Sequence, residues 1–322
     1  MSFCCSFVFA INYISTENMQ SKNFDVIIIG GSYAGLSAGM ALGRSLRNVL
    51  IIDHGKPCNR QTPHSHNFIT HDGKTPKEIR ELAKKDVEKY KTIQFYDGKV
   101  MRVGKNTDDF YVELSSGDRF YARRIILASG IKDMMPDIPG FTECWGISVI
   151  HCPYCHGYEV KNEVTGILSD GDMAYEFSKL VFNLTKELTL FTNGKTKLTS
   201  EQIGKLKQNK IKLNEDEIKS IEHENGYIQK LIFTNGKTVS LKALYAKIPF
   251  EQNIDVSETL SCELTEQGFI KVDFMQKTSV PGVFACGDNV TMMRSVANAV
   301  AQGNFAGAMV NKELSEEEFG YK

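Results

Sequence analysis

Two cysteines three positions apart, Cys152 and Cys155, sit in the run His151-Cys152-Pro153-Tyr154-Cys155-His156-Gly157. Such a pair at a helix start can open and close as a disulfide, because the free N–H groups and the helix dipole stabilise the first thiolate. Pro153 suits the first helical position. His151 and His156 put an imidazole on either side, able to supply charge or move a proton. The same residues admit other readings. C-x-x-C-H is the attachment motif of c-type haem, the two His and two Cys are zinc-ligand types, and a disulfide can be purely structural. Haem attachment requires export, and the N-terminus has neither a basic start nor a small-residue cleavage site. Four ligands within six residues fit a tetrahedron poorly, and no second C-x-x-C exists. No metal site is expected. A redox-active dithiol is the reading carried forward.

The other cysteines, Cys4, Cys5, Cys58, Cys144, Cys262 and Cys286, have no close partner in sequence and read as packing or incidental residues. In a chain of 322 residues this usage points to a reducing, cytoplasmic compartment. A net charge of −1 shows no footprint for nucleic acid. An apolar run in the first 18 residues is too short to span a membrane. Residues 1–20 are expected to be a disordered N-terminal extension.

Several elements must position the dithiol. Phe24–Ile29 is a continuous β-branched run, as for a buried parallel strand. Gly30-Gly31-Ser32-Tyr33-Ala34-Gly35 follows, then a helical stretch, then the strand Val49–Ile52 ending at Asp53. Strand, glycine turn, helix, strand and acid make a dinucleotide-binding unit, with pyrophosphate at the helix start and ribose at Asp53. Ser32 replaces the second glycine of the usual pattern. Residues 54–75 read as a loop and carry Cys58, His64, His66 and His71. Thr75–Tyr90 reads as a capped helix, and 93–121 as an antiparallel meander. Arg124–Leu127 is another buried strand, ending in Ala128-Ser129-Gly130. A second strand–turn–helix–strand unit runs from Val164 to Phe191, and a small-residue helix spans Ser295–Lys312.

GGSYAG at 30–35, ASG at 128–130, CPYCHG at 152–157 and TSVPGVFACGDN at 278–289 together resemble the low-molecular-weight thioredoxin reductase family of FAD flavoproteins. The resemblance runs from about Phe24 to Leu314. It implies an α/β fold of two Rossmann-like, three-layer ββα dinucleotide-binding domains. The FAD domain is discontinuous, 21–132 plus 249–322, and a smaller NAD(P)-type domain, 133–248, is inserted with the C-x-x-C. It implies FAD held by Gly30, Ser32, Ala34, Gly35, Asp53, Ala128, Gly130, Gly287, Asp288, Arg294 and Ser295. Cys155 is then the flavin-proximal sulfur and Cys152 the interchange sulfur. The loop after Asp53 runs near the flavin, which brings its histidines within reach of the active site. A homodimer is also implied.

Two departures bear on mechanism. Where the inserted domain should show G-x-G-x-x-A, the chain reads Ser169-Asp170-Gly171-Asp172-Met173-Ala174. Where a basic cluster should hold a 2′-phosphate, it reads Thr192-Asn193-Gly194, with only Lys195 and Lys197 nearby. Both argue against an intact NADPH site. In addition, His156 follows the second cysteine, where ordinary thioredoxin reductases carry an acid. C-x-x-C-H-G is similar to the gliotoxin- and holomycin-type dithiol oxidases, which use FAD and oxygen. The expectation is an FAD-dependent thiol–disulfide oxidoreductase of that kind, with His156 as the base. Its partner is a small dithiol or disulfide, or a thioredoxin-like protein. The alternatives are an NAD(P)H- or ferredoxin-dependent reductase and a non-enzymatic flavin redox sensor.

Overall fold

Asn23–Ile29 forms β1, buried on both faces: Val26 and Ile28 pack into one core cluster, Ile27 and Ile29 into another. Period-two alternation with both sides apolar is the mark of a strand sandwiched between layers. The computed structural model describes residues 22–255 and 259–320, and the expectation for residues 1–20 falls outside them.

From β1 the chain runs through α1 (Tyr33–Arg44), β2 (Val49–Asp53), α2 (Pro76–Val87), β3 (Ile93–Asp97), β4 (Val100–Lys105), β5 (Phe110–Leu114) and β6 (Arg119–Leu127). Thr75 caps α2 with a complete capping box through Glu78. Strand order is β3-β2-β1-β6-β5-β4. The meander expected over 93–121 is corrected at its start. β3 pairs parallel with β2, Val49 opposite Ile93, because α2 is a crossover that returns the chain in the same direction. Only β4, β5 and the first half of β6 are antiparallel.

The chain then enters β7 (Ile131–Asp133), α3 (Phe141–Cys144), β8 (Val149–Ile150) and the one-turn helix α4 (Pro153–His156). A second parallel sheet follows. It is built from β9 (Thr165–Leu168), α5 (Gly171–Phe182), β10 (Leu188–Phe191), α6 (Ser200–Gln208) and β11 (Lys212–Asn214). A hairpin sheet, β12 (Ile218–Glu224), β13 (Tyr227–Phe233) and β14 (Thr238–Ser240), leads to β15 (Ala243–Ala246). The parallel order is β11-β10-β9-β15-β8.

β16 (Phe250–Gln252) returns the chain alongside β7, with Phe250 opposite Asp133. β17 (Val283–Ala285) then pairs with the second half of β6. α7 (Val296–Gly320) closes the chain, running past the expected Lys312. It lies against α1 so closely that a Cβ on Gly303 would collide with the Ala34 carbonyl. Ser37 Oγ also donates to the Val300 carbonyl at 2.7 Å. The small residues of both helices permit this approach.

Candidate active site

A cleft of about 600 Å³ opens where the first sheet, the β7–β16 ribbon and α4 converge. Gly30, Ser32, Ala34, Asp53, Ala128, Gly130, Gly287, Asp288, Arg294, Ser295, Cys155 and His156 all line it. Two of the expected residues do not. Gly35 packs beneath the turn, where a Cβ would meet the Gly30 carbonyl, so its role is packing rather than contact. Cys152, the other half of the disulfide, is also not a lining residue and is partly buried.

The turn after β1 is shaped for a close ligand. Gly30 takes φ +108°, and a Cβ there would strike the Ala128 carbonyl. Ser32 makes no side-chain cap and the first turn of α1 holds no acid, so its N–H groups and positive end are left for an anion. Gly287 takes φ +94° and faces Ala34. Ser129 Oγ lines the cleft, buried with no hydrogen-bond partner. Asp53 is ion-paired with Arg80, which also donates to the Gly31 carbonyl at 3.2 Å. These features fit a dinucleotide: pyrophosphate at α1, ribose hydroxyls at Asp53, and a further polar contact at Ser129.

Cys152 and Cys155 form a disulfide at the start of α4. Cys152 is the N-cap, and its Sγ accepts the Cys155 N–H at 3.2 Å. Cys155 Sγ lies 3.8 Å from the Arg294 carbonyl. Burial holds the His156 imidazole down to about 4, with His66 as a second cause. Burial pushes His151 to about 3, with Arg294 second. Both rings are therefore neutral near pH 7. His151 stands over Trp145, ring centroids 6.0 Å apart.

Arg294 stands just before α7, which begins at Val296. Its guanidinium forms a bidentate pair with Asp133 (2.8 and 3.0 Å), and its Nε is 3.6 Å from Asp288. Trp145 Nε1 donates to the same Asp133 carboxylate at 3.0 Å. Burial opposes the Arg294 charge, but the Asp133 hydrogen bonds together with the negative charges facing it, Asp133 and Asp288 among them, outweigh burial and raise its pKa. Burial raises Asp288. Cys58 also enters the site. Its Sγ is 3.6 Å from Asp288, and burial first and Asp288 second push its thiol to about 12. Sequence reasoning missed Asp133, Trp145 and Arg80, and read Cys58 as incidental. Asp133 and Trp145 follow no spacing pattern: they meet across 12 positions, and Arg294 joins Asp133 from 161 positions away. Cys144, Cys262 and Cys286 are buried in the cores, as expected of packing residues. Among the described residues no cluster of His, Cys, Asp and Glu is arranged to hold a metal ion.

The profile of the pyridine nucleotide-disulphide oxidoreductases matches residues 24–303. The chain belongs to that family. A thioredoxin reductase of Claviceps purpurea, tcpT, is 33% identical over 96% of this chain and 98% of its own. The solved oxidoreductase from Agrobacterium tumefaciens is 37% identical, with a TM-score of 0.86 over 91% of this chain and 99% of that one. HlmI is 30% identical, with a TM-score of 0.86 over 92% and 94%. This oxidoreductase therefore has the two-domain, Rossmann-like architecture of the thioredoxin reductases. It is a flavin-dependent disulfide oxidoreductase, and the family implies FAD.

Proposed function

We propose that this oxidoreductase is a dithiol oxidase-like enzyme. It takes two electrons from a small dithiol at Cys152–Cys155 and passes them through FAD to oxygen, without NADPH. The observation that carries this reading lies at the head of α5. There the Asp170 carboxylate accepts the Lys197 N–H with both oxygens at 3.0 Å and the Thr196 hydroxyl at 2.9 Å. Burial opposes its charge, but those hydrogen bonds outweigh it and keep Asp170 ionised. A fixed anion at a helix N-terminus repels the pyrophosphate that an intact nucleotide site would seat there.

FAD, when bound, accepts the two electrons of the reduced cysteine pair. The chain's own residues do the rest. A substrate thiol gives its proton to neutral His156 and attacks Cys152 Sγ, and the bond to Cys155 breaks. Cys155 leaves as a thiolate. Once His156 has shed the first proton, the second substrate thiol gives its own to that ring and attacks the substrate sulfur of the mixed disulfide, and Cys152 leaves as a thiolate. The substrate is now a disulfide, and the cysteine pair holds its two electrons. The N–H of Cys155 supports negative charge at Cys152, and the helix start favours it. This reading takes 21–132 and 249–322 as the FAD domain and 133–248 as the inserted one. In support, the two parallel sheets share no strand, and the β7–β16 ribbon brackets the insertion. It also takes the enzyme as a cytoplasmic homodimer.

A reductase fed by NAD(P)H or ferredoxin is the second reading, favoured by the names of relatives such as tcpT. Anaerobic titration at the flavin absorbance maximum separates them. NADPH and NADH are expected to leave the yellow colour, dithiothreitol to bleach it, and oxygen to restore it. Bleaching by a nicotinamide within seconds would overturn the oxidase. A Cys155→Ser protein that kept full turnover would overturn the dithiol mechanism.

A further inference from the structure

Each dithiol oxidised releases two protons, and His156 can hold one. It must therefore be cleared between the two exchange steps. The residue placed to clear it is His66. It lines the same cleft as His156 and Cys155, and its Nε2 faces Glu159, three residues beyond His156 in the chain. Each of its ring nitrogens faces a carboxylate: Nδ1 is 3.7 Å from Asp72 and Nε2 is 3.6 Å from Glu159. The His66 side chain is 20% exposed, against 65% for Asp72 and 39% for Glu159, so the three grade outward from cleft to water.

The loop around His66 is held in place. Ser65 N–H donates to the Lys74 carbonyl at 2.8 Å, and Gly73 N–H donates back to the Ser65 carbonyl at 2.9 Å. Asn67 N–H donates to Asp72 at 2.7 Å, so His66 and Asp72 sit on facing arms of one turn. Titratable groups surround His66 on both sides of the cleft wall. Asp72 and His64 come from its own loop, the His64 ring centroid 6.3 Å away, and Glu159 and His156 come from α4 and the stretch after it.

We propose that His66 is a positioning residue that relays protons out of the site, from His156 to Asp72 and Glu159 and so to water. The substrate S–H bond breaks and its proton goes to His156. His156 passes it through cleft water to one His66 nitrogen, and the other nitrogen releases a proton to the carboxylate it faces. No electrons move in these transfers. The proposal rests on the dithiol-exchange step of the proposed function, and holds whichever acceptor takes the electrons.

The test is stopped-flow reduction of the flavin by dithiothreitol without oxygen, in water and in deuterium oxide, across the acid and neutral range. His66→Gln, which cannot carry the proton, is expected to slow reduction by about tenfold and to enlarge the solvent isotope effect, with flavin content and Tm unchanged. His66→Ala is expected to regain rate in proportion to added imidazole. A His66→Gln rate within about twofold of wild type at every pH overturns the relay. So does a His66→Ala protein that imidazole does not speed. If a His66 variant loses its flavin, the Asp72→Asn/Glu159→Gln protein, which keeps both imidazoles, is read instead. Slowing supports the relay, and an unchanged rate overturns it. Cys155→Ser is run alongside. Electron flow surviving in that protein would fell the proposed function itself, whereas a dead Cys155→Ser beside a wild-type-like His66→Gln fells the relay alone.

Discussion

Arg294→Met removes the cation at the centre of the cleft. The Arg294 side chain is 14% exposed and its partner Asp133 is 6% exposed. Removing one member of a buried, hydrogen-bonded ion pair costs about 3–5 kcal/mol, because the other charge stays behind unpaired. Asp133 keeps one donor, the Trp145 indole N–H at 3.0 Å, which moves the expectation toward the lower end. Asp288, 3.6 Å from the lost guanidinium, moves it back up. A loss of about 3–4 kcal/mol is expected. Methionine fills much of the arginine's volume, so little of this is a cavity. Urea unfolding followed by tryptophan fluorescence measures it, and Trp145, the chain's single tryptophan, sits at the junction being perturbed. Asp133→Asn in the Arg294→Met background should recover part of the loss, since it removes the stranded charge. A loss under about 1 kcal/mol, or a double variant no more stable than Arg294→Met, would refute the reasoning, since exposed pairs alone give values that small.

Acid sensitivity follows from the two buried imidazoles. His151 and His156 titrate in the folded chain at about 3 and about 4, below the ordinary histidine value. The unfolded chain therefore binds more protons in that interval, and stability, fully present above about pH 6.5, falls as pH drops toward 4 and then 3. Each shifted unit is worth about 1.4 kcal/mol, so His156 alone accounts for roughly 3 kcal/mol between pH 7 and pH 4. His156→Phe should flatten that slope in denaturant titrations, and an unchanged slope counts against burial as its source. Gly303→Ala should cost about 1–3 kcal/mol by overpacking α7 against the Ala34 carbonyl, read as a lower urea midpoint at an unchanged m-value. Arg80→Met should weaken flavin binding about tenfold in equilibrium dialysis, because Asp53 and the Gly31 carbonyl both lose their donor. Binding equal to wild type would show that the turn holds its shape unaided.

The legible parts of this chain were those written as short contiguous patterns. The run Phe24 to Asp53 carries strand, turn, helix and acid within thirty residues, so periodicity and glycine chemistry suffice to place it. The thiol pair is equally local, since Cys152 caps and Cys155 lies within one single-turn helix. What stayed hidden was assembled across distance. Ile93–Asp97 has the alternation of a meander strand, yet pairs parallel with β2, because α2 dictates its direction and no side chain within the strand records that. Asp133 shows nothing but an acid before a proline-rich join. Its importance comes from Trp145 and Arg294, which reach its carboxylate from separate parts of the chain. His66 was visible as one histidine among three. The sequence could not choose between them, because the choice depends on which ring meets Glu159 from beyond α4, and His64 instead bonds the Gly73 carbonyl. The residues expected at the first glycine turn lie on elements whose own sequence must also make that turn. The contacts of Asp133 with Trp145 and Arg294 are fixed only by how separate segments pack, and so leave no local trace.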